Sequence, residues 1–174
     1  MKAINGNKES NPAIKIATAC LLLFLLAGCL FSVVHGIMKV GFNPKNVTVY
    51  YLGNEMDNPL SDADDSLTVE EISYPRELPE LIESTHVHMF MVPLIYYLLC
   101  HLFAQTEIQT KWKITVIALT FGCILVFLAS PWLIRYVSYK FAVLVPATDL
   151  LFIFLSVTLA GLPLKQILAS RQSG

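Results

Sequence analysis

The stretch from Ile16 to Met38 has the sequence IATACLLLFLLAGCLFSVVHGIM and contains no Asp, Glu, Lys or Arg. A helix needs about 20 apolar residues to cross roughly 30 Å of bilayer hydrocarbon, so this stretch is long enough to span a membrane. Three more stretches have the same character: Ser84–Thr106, Ile114–Ile134 and, if Asp149 is tolerated inside it, Phe141–Leu164. Because lipid cannot satisfy backbone amides, each stretch is expected to be helical. The sequence therefore predicts an all-α integral membrane protein with four transmembrane helices in an up-down bundle.

The composition agrees with this prediction and excludes several classes of protein. Hydrophobic residues make up 55% of the 174-residue chain, charged residues only 14%, and the mean hydropathy is +0.61. A soluble domain has about 25% charged residues, so a soluble enzyme and a disordered chain are both disfavoured. The net charge of −1 provides no basic surface for phosphate, which argues against nucleic-acid binding.

The connection between the first and second helices, residues 39–83, is long and acidic. Val47 to Leu52 is β-branched and aromatic, which predicts a short extended segment. Pro79 suits the first turn of a helix, so the second helix is expected to begin near Pro79 as a water-exposed extension of the span. The connection holds ten of the thirteen acidic residues: Glu55, Asp57, Asp62, Asp64, Asp65, Glu70, Glu71, Glu77, Glu80 and Glu83.

The distribution of Lys and Arg predicts the orientation. With the N terminus in the cytoplasm, seven of these residues lie inside and five lie outside, in the direction that the positive-inside rule requires. The expected location is a bacterial inner membrane with both termini inside. The predicted segments are a cytoplasmic tail at 1–13, membrane helices at 14–38, 84–106, 113–134 and 141–164, a periplasmic loop at 39–83, and a second cytoplasmic tail at 165–174.

The cysteines do not form a recognisable site. All four, Cys20, Cys29, Cys100 and Cys123, lie within predicted spans, where thiols commonly behave as small apolar side chains. No CxxC or CxxCH motif is present, which excludes covalent attachment of a c-type haem. Leu26-Ala27-Gly28-Cys29 resembles the lipobox of bacterial lipoproteins. The apolar run continues beyond Cys29, which favours an uncleaved anchor helix.

Three histidines and one carboxylate are predicted at a single membrane level. His35 ends the first helix, His86 and His88 begin the second, and Asp149 lies about two turns inside the fourth, whereas His101 lies near the opposite face. Ionisable residues inside membrane spans are costly and are therefore candidates for a functional site.

One hypothesis for this level is a b-type haem. Such a haem needs an imidazole from each of two helices, which favours His35 with His88 and leaves His35 with His86 as the alternative. Small residues that would leave room for a flat ring lie on two helical faces. Gly28 and Ser32 share a face of the first helix with His35, and Ala118 and Gly122 share a face of the third helix. His101 is a candidate for a second haem that no other histidine in the chain completes. The candidates for contact with the propionates are Asp149, Tyr136, Tyr139, Lys140 and Arg135. The resemblance to four-helix b-type cytochromes is one of architecture, without a shared motif.

Two alternatives to haem remain open. His86, His88, Met89 and Met91 bring imidazoles and thioethers together, and these ligands suit copper. The histidines can also be interface residues that bind water, backbone or Glu83, with no cofactor at all.

The absence of other motifs limits the function. The sequence has no Gly-rich phosphate loop and no GxSxG motif, so a self-contained enzyme is not indicated. The sequence favours a small membrane subunit of a multi-protein electron-transfer complex. The expected partners are lipid, other membrane subunits, and quinone or a soluble redox protein at the outer face. The alternative is a non-catalytic accessory subunit that stabilises a larger membrane complex.

Overall fold

The structure is a computed structural model that describes residues 12–53 and 74–172. These ranges contain five α-helices and no β-strand. The helices are α1 (Pro12–Val40), α2 (Pro44–Leu52), α3 (Leu78–Ala104), α4 (Thr110–Tyr136) and α5 (Leu144–Gln172), and a 3₁₀ helix (Tyr139–Val143) precedes α5.

Four of the helices, all except α2, are long and apolar enough to cross a membrane. The shortest of the four has 27 residues, which corresponds to about 40 Å at 1.5 Å per residue and exceeds the hydrocarbon thickness. The predicted all-α membrane fold with four transmembrane helices is therefore confirmed. Helix α3 begins at Leu78, one residue before Pro79.

Helix α5 lies at the centre of the bundle. It packs against α1, α3 and α4, whereas α1 and α3 touch each other at only a few positions. The main core contains Leu22 of α1, Leu99 and Phe103 of α3, and Leu155 and Leu159 of α5, all almost completely buried. Large apolar side chains such as Phe31 and Leu125 point outward, as expected for a surface in contact with lipid.

Hydrogen bonds between side chains connect the helices inside the bundle. The hydroxyls of Tyr96 on α3 and Ser156 on α5 lie 2.8 Å apart in a buried position. The indole N–H of Trp132 on α4 donates to the hydroxyl of Thr85 on α3 over 2.9 Å. Such bonds are favourable inside a membrane because lipid offers no competing partner.

The predicted extended segment at Val47–Leu52 is wrong, because these residues belong to α2. The side chain of Asn43 caps the helix by accepting a hydrogen bond from the Lys45 N–H, and Pro44 occupies the first turn. Gly53 ends the helix at a φ of 77°. Local capping therefore outweighs the β-branched composition, since no described strand is available for pairing. The acidic stretch from Glu55 to Glu71 lies outside the described residues.

Candidate functional site

A cavity of about 420 Å³ opens between α1 and α3, which touch each other at only a few positions. Its walls come from α1, α3, α4 and α5, and two tyrosines of α2 line the end where α1 finishes and α3 begins. We call this end the α2 end. The volume of the whole cavity falls within the range of about 300–1,000 Å³ that is typical of small-molecule and cofactor sites.

His35 and His88 line this cavity from different helices. His35 lies near the end of α1, and His88 lies in the third turn of α3. Asp149 of α5 lines the same cavity. The structure therefore brings together three of the four polar residues that the sequence assigns to one membrane level.

The imidazole of His88 has a defined tautomer. Its Nδ1 lies 2.6 Å from the backbone carbonyl oxygen of Ser84, and because a carbonyl oxygen can only accept, Nδ1 carries the proton. The ring also packs edge-on against Phe127 of α4, with centroids 5.6 Å apart. In the neutral imidazole this hydrogen bond leaves the lone pair on Nε2, which is the atom that a metal or a proton donor would bind.

The wall of the cavity on α1 is a stripe of small side chains. Gly28, Ser32 and Gly36 follow one another at a spacing of four residues and all line the cavity. A Cβ atom built on Gly28 or Gly36 would meet nothing within 4 Å. These glycines therefore leave open space next to His35 and do not mediate close contact between helices. The second small face that the sequence predicted, on α4, is different, because Ala118 and Gly122 are both exposed and neither lines the cavity.

The other predicted site residues lie outside the cavity. His86 is exposed and packs edge-on against Phe90, and His101 is exposed and stacks on Tyr97. Met89 and Met91 are also exposed, so the set proposed for copper has His88 turned inward and its other members turned outward. Within residues 12–53 and 74–172, no group of three or more His, Cys, Asp and Glu residues is close enough to hold a metal ion.

Among the residues considered for propionate contact, only Asp149 lines the cavity. Tyr136 is exposed and stacks on Trp132, with ring centroids 5.9 Å apart. The other three residues of that set, Tyr139, Lys140 and Arg135, are also absent from the cavity wall.

The sequence-based prediction missed three polar residues at the α2 end: Lys39, Tyr50 and Tyr51. Arg76 holds Tyr50 by donating to its hydroxyl over 2.7 Å, with the guanidinium 4.3 Å from the centre of the ring. Burial raises the pKa of Tyr51 to about 12, so its hydroxyl stays protonated and can donate a hydrogen bond. Capping signals at Asn43, Pro44 and Gly53 could have predicted the helix that carries both tyrosines.

The family model of the Aq_1264_TM transmembrane helical domain matches residues 41–174, about three quarters of the chain. The chain belongs to this family. The match covers α2 to α5, which supply His88, Asp149 and both tyrosines of the cavity, and it begins just after α1. No curated protein and no solved structure matches the chain. The protein is thus an integral membrane protein with a transmembrane helical domain.

Proposed function

We propose that this protein is a membrane subunit of an electron-transfer complex and binds a b-type haem between α1 and α3. His35 and His88 are the axial ligands in this proposal. The observation that carries it is that two histidines from two helices that are long and apolar enough to span a membrane line one cavity. A bound b-type haem would supply one-electron chemistry at this position.

The environment of His88 supports its role as a ligand. Haem iron binds the unprotonated nitrogen of a neutral imidazole, and the carbonyl of Ser84 keeps the proton of His88 on Nδ1. A hydrogen bond of this kind fixes the orientation of the ring and increases the basicity of the other nitrogen. His86, the alternative ligand, does not line the cavity and lies against Phe90.

The lining of the cavity supports a ligand with an apolar ring. The stripe of Gly28, Ser32 and Gly36 leaves room beside His35, and α4 and α5 contribute the aromatic rings of Phe127 and Phe152 to the lining. These rings pack edge-on against each other with centroids 5.4 Å apart, so they form a continuous apolar surface. Apolar walls that exclude water are a means by which proteins tune haem potentials.

The first test is a reduced-minus-oxidised absorption spectrum of the purified protein, in which we expect the bands of a b-type haem. His35→Ala and His88→Ala are expected to lose these bands, because each removes one axial ligand. His86→Ala and His101→Ala are matched controls, since both change a histidine of α3 outside the cavity. We expect both controls to retain the bands at the wild-type haem-to-protein ratio.

The same experiment separates the proposal from its alternatives. A wild-type protein with neither haem bands nor bound iron would refute it and favour an accessory role in a larger complex. Bound copper that depends on His86 would favour the copper site. Loss of the bands in the His86 variant but not in the His88 variant would make His86, and not His88, the ligand from α3.

The proposed setting is a bacterial inner membrane with both termini in the cytoplasm, as the seven-to-five distribution of Lys and Arg favours. In this orientation the α2 end faces outward, where electrons would pass to or from quinone, a soluble redox protein or another subunit. Fusions of a phosphatase that is active only in the periplasm, at Gly53 and at the C terminus, test the orientation. Activity at the C terminus would contradict it.

A further inference from the structure

The cavity has a polar end and an apolar end. Lys39 and Tyr51 line it at the α2 end, whereas Phe24, Leu25 and Ile95 line it farther from α2 along the helices. A ligand that fills such a cavity is amphipathic, with an apolar body and a polar group at one edge. The charge available at the polar end therefore determines which polar group the ligand can carry.

Among the described residues, Lys39 is the cation that lines this cavity. It lines the cavity from the last turn of α1, and its ammonium group makes no ion pair or hydrogen bond with a described residue. Arg76 is the cation that contacts Tyr50. It forms an ion pair with Glu80 over 2.9 Å and donates a hydrogen bond to the Tyr50 hydroxyl. As far as the described residues are concerned, Lys39 is available to bind an anion, whereas the guanidinium of Arg76 already binds Glu80 and Tyr50.

Tyr51 supplies a hydrogen-bond donor at the same end. Its hydroxyl is protonated and has no hydrogen-bond partner among the described residues. The one acid in the described wall, Asp149, lies on α5 and opposes an anion there. The free ammonium of Lys39 offsets this carboxylate, so the balance of charge at the α2 end does not repel a ligand carboxylate.

Resting on the proposed function, we propose that Lys39 and Tyr51 bind a carboxylate of the ligand and orient the haem propionates toward the α2 end. Lys39 follows His35 by four residues on α1, so the two side chains share a helical face about 6 Å apart along the axis. This spacing separates the iron at the centre of the ring from the carboxylates at its edge. The orientation brings the propionates to the end of the cavity where Lys39 is exposed.

The test is the reduction potential of the haem in the purified full-length protein. Reduction adds a negative charge, so a nearby ammonium group stabilises the reduced form and raises the potential. Lys39→Met is expected to lower the potential by about 59 mV, which is a tenfold change in the one-electron equilibrium. Lys39→Arg is expected to keep it near the wild-type value. Lys45→Met is the matched control, because Lys45 is exposed on α2 and does not line the cavity.

The outcomes separate this inference from the proposed function. Equal potentials in the wild type, Lys39→Met and Lys45→Met would overturn the Lys39 assignment while leaving a haem protein. Loss of haem from both Lys39→Met and Lys39→Arg would also overturn it, because charge would then not be the property that matters. Absence of haem from the wild type would overturn both proposals together.

Discussion

At the scale of the residue, Gly28 and Gly36 enlarge the cavity because they have no side chains to fill it. Their positions on α1 face open space, and so does Gly122 on α4, but Gly122 lies on the exposed surface of the bundle. The same residue type in the same secondary structure therefore has two different environments. The same substitution at Gly36 on α1 and at Gly122 on α4 therefore tests whether the open space on α1 holds a ligand.

Gly36→Leu is expected to fill the space beside His35 and to reduce the haem content at least tenfold without unfolding the protein. The fold should tolerate the change because an added Cβ meets nothing within 4 Å. The haem-to-protein ratio of the purified variant measures the effect. Gly122→Leu introduces the same side chain on the exposed face and should leave this ratio unchanged. A full complement of haem in Gly36→Leu would mean that the ligand does not occupy this part of the cavity.

The sequence predicted the grouping of His35 with Asp149 but left His86 and His88 as alternatives. Two residues that are two positions apart point in different directions on a helix, so one of them must face away from any shared ligand. Which one faces inward depends on how α3 is rotated against α4 and α5. That rotation is fixed by contacts such as the bond between Trp132 and Thr85, which no local pattern in the sequence indicates.

At the scale of the element, α2 owes its position to Gly41. This glycine follows α1 with a φ of 84°, and its N–H donates to the carbonyl of Ile37 over 2.8 Å, which closes the end of the helix. The chain then turns into α2, whose buried Val47 packs with Ile134 and Ala142. Tyr50 and Tyr51 reach the cavity because this turn directs α2 across the bundle.

Gly41→Ala is expected to destabilise this turn by about 1–2 kcal/mol, the cost of a left-handed conformation for a residue with a Cβ. The added Cβ would also lie 2.8 Å from the side-chain nitrogen of Asn46. Faster proteolysis between α1 and α3 in detergent would measure the loss. Gly122→Ala is the control, because its position is helical and open, and it should be neutral or stabilising. Equal protection of both variants would show that the turn does not hold α2.

At the scale of the whole molecule, α5 connects the other three long helices. The side chain of Leu155 faces the core and is completely buried, whereas that of the adjacent Phe154 points outward and is 62% exposed. Short connections predicted from the sequence make α3, α4 and α5 neighbours, but they do not determine which helix is central. The composition of α5 gives little indication either, because apolar residues occur all round it, as in the other spans.

Leu155→Ala is expected to cost about 2–5 kcal/mol, because it leaves a cavity where α5 meets its neighbours. Phe154→Ala removes a larger side chain at the next position but leaves space that lipid can fill, so we expect less than about 1 kcal/mol. Titration of the folded fraction with sodium dodecyl sulfate compares the two variants. Similar losses for both would contradict a central position for α5.

The hydrogen bond from His88 to the carbonyl of Ser84 also concerns how the site tolerates mutation over time. The 2.6 Å contact is to the main chain, whereas the Ser84 hydroxyl is 3.5 Å away. Every amino acid has this carbonyl, so position 84 can change in evolution without altering the tautomer of the imidazole. A substitution at position 84 is therefore expected to leave the proton on Nδ1 of His88.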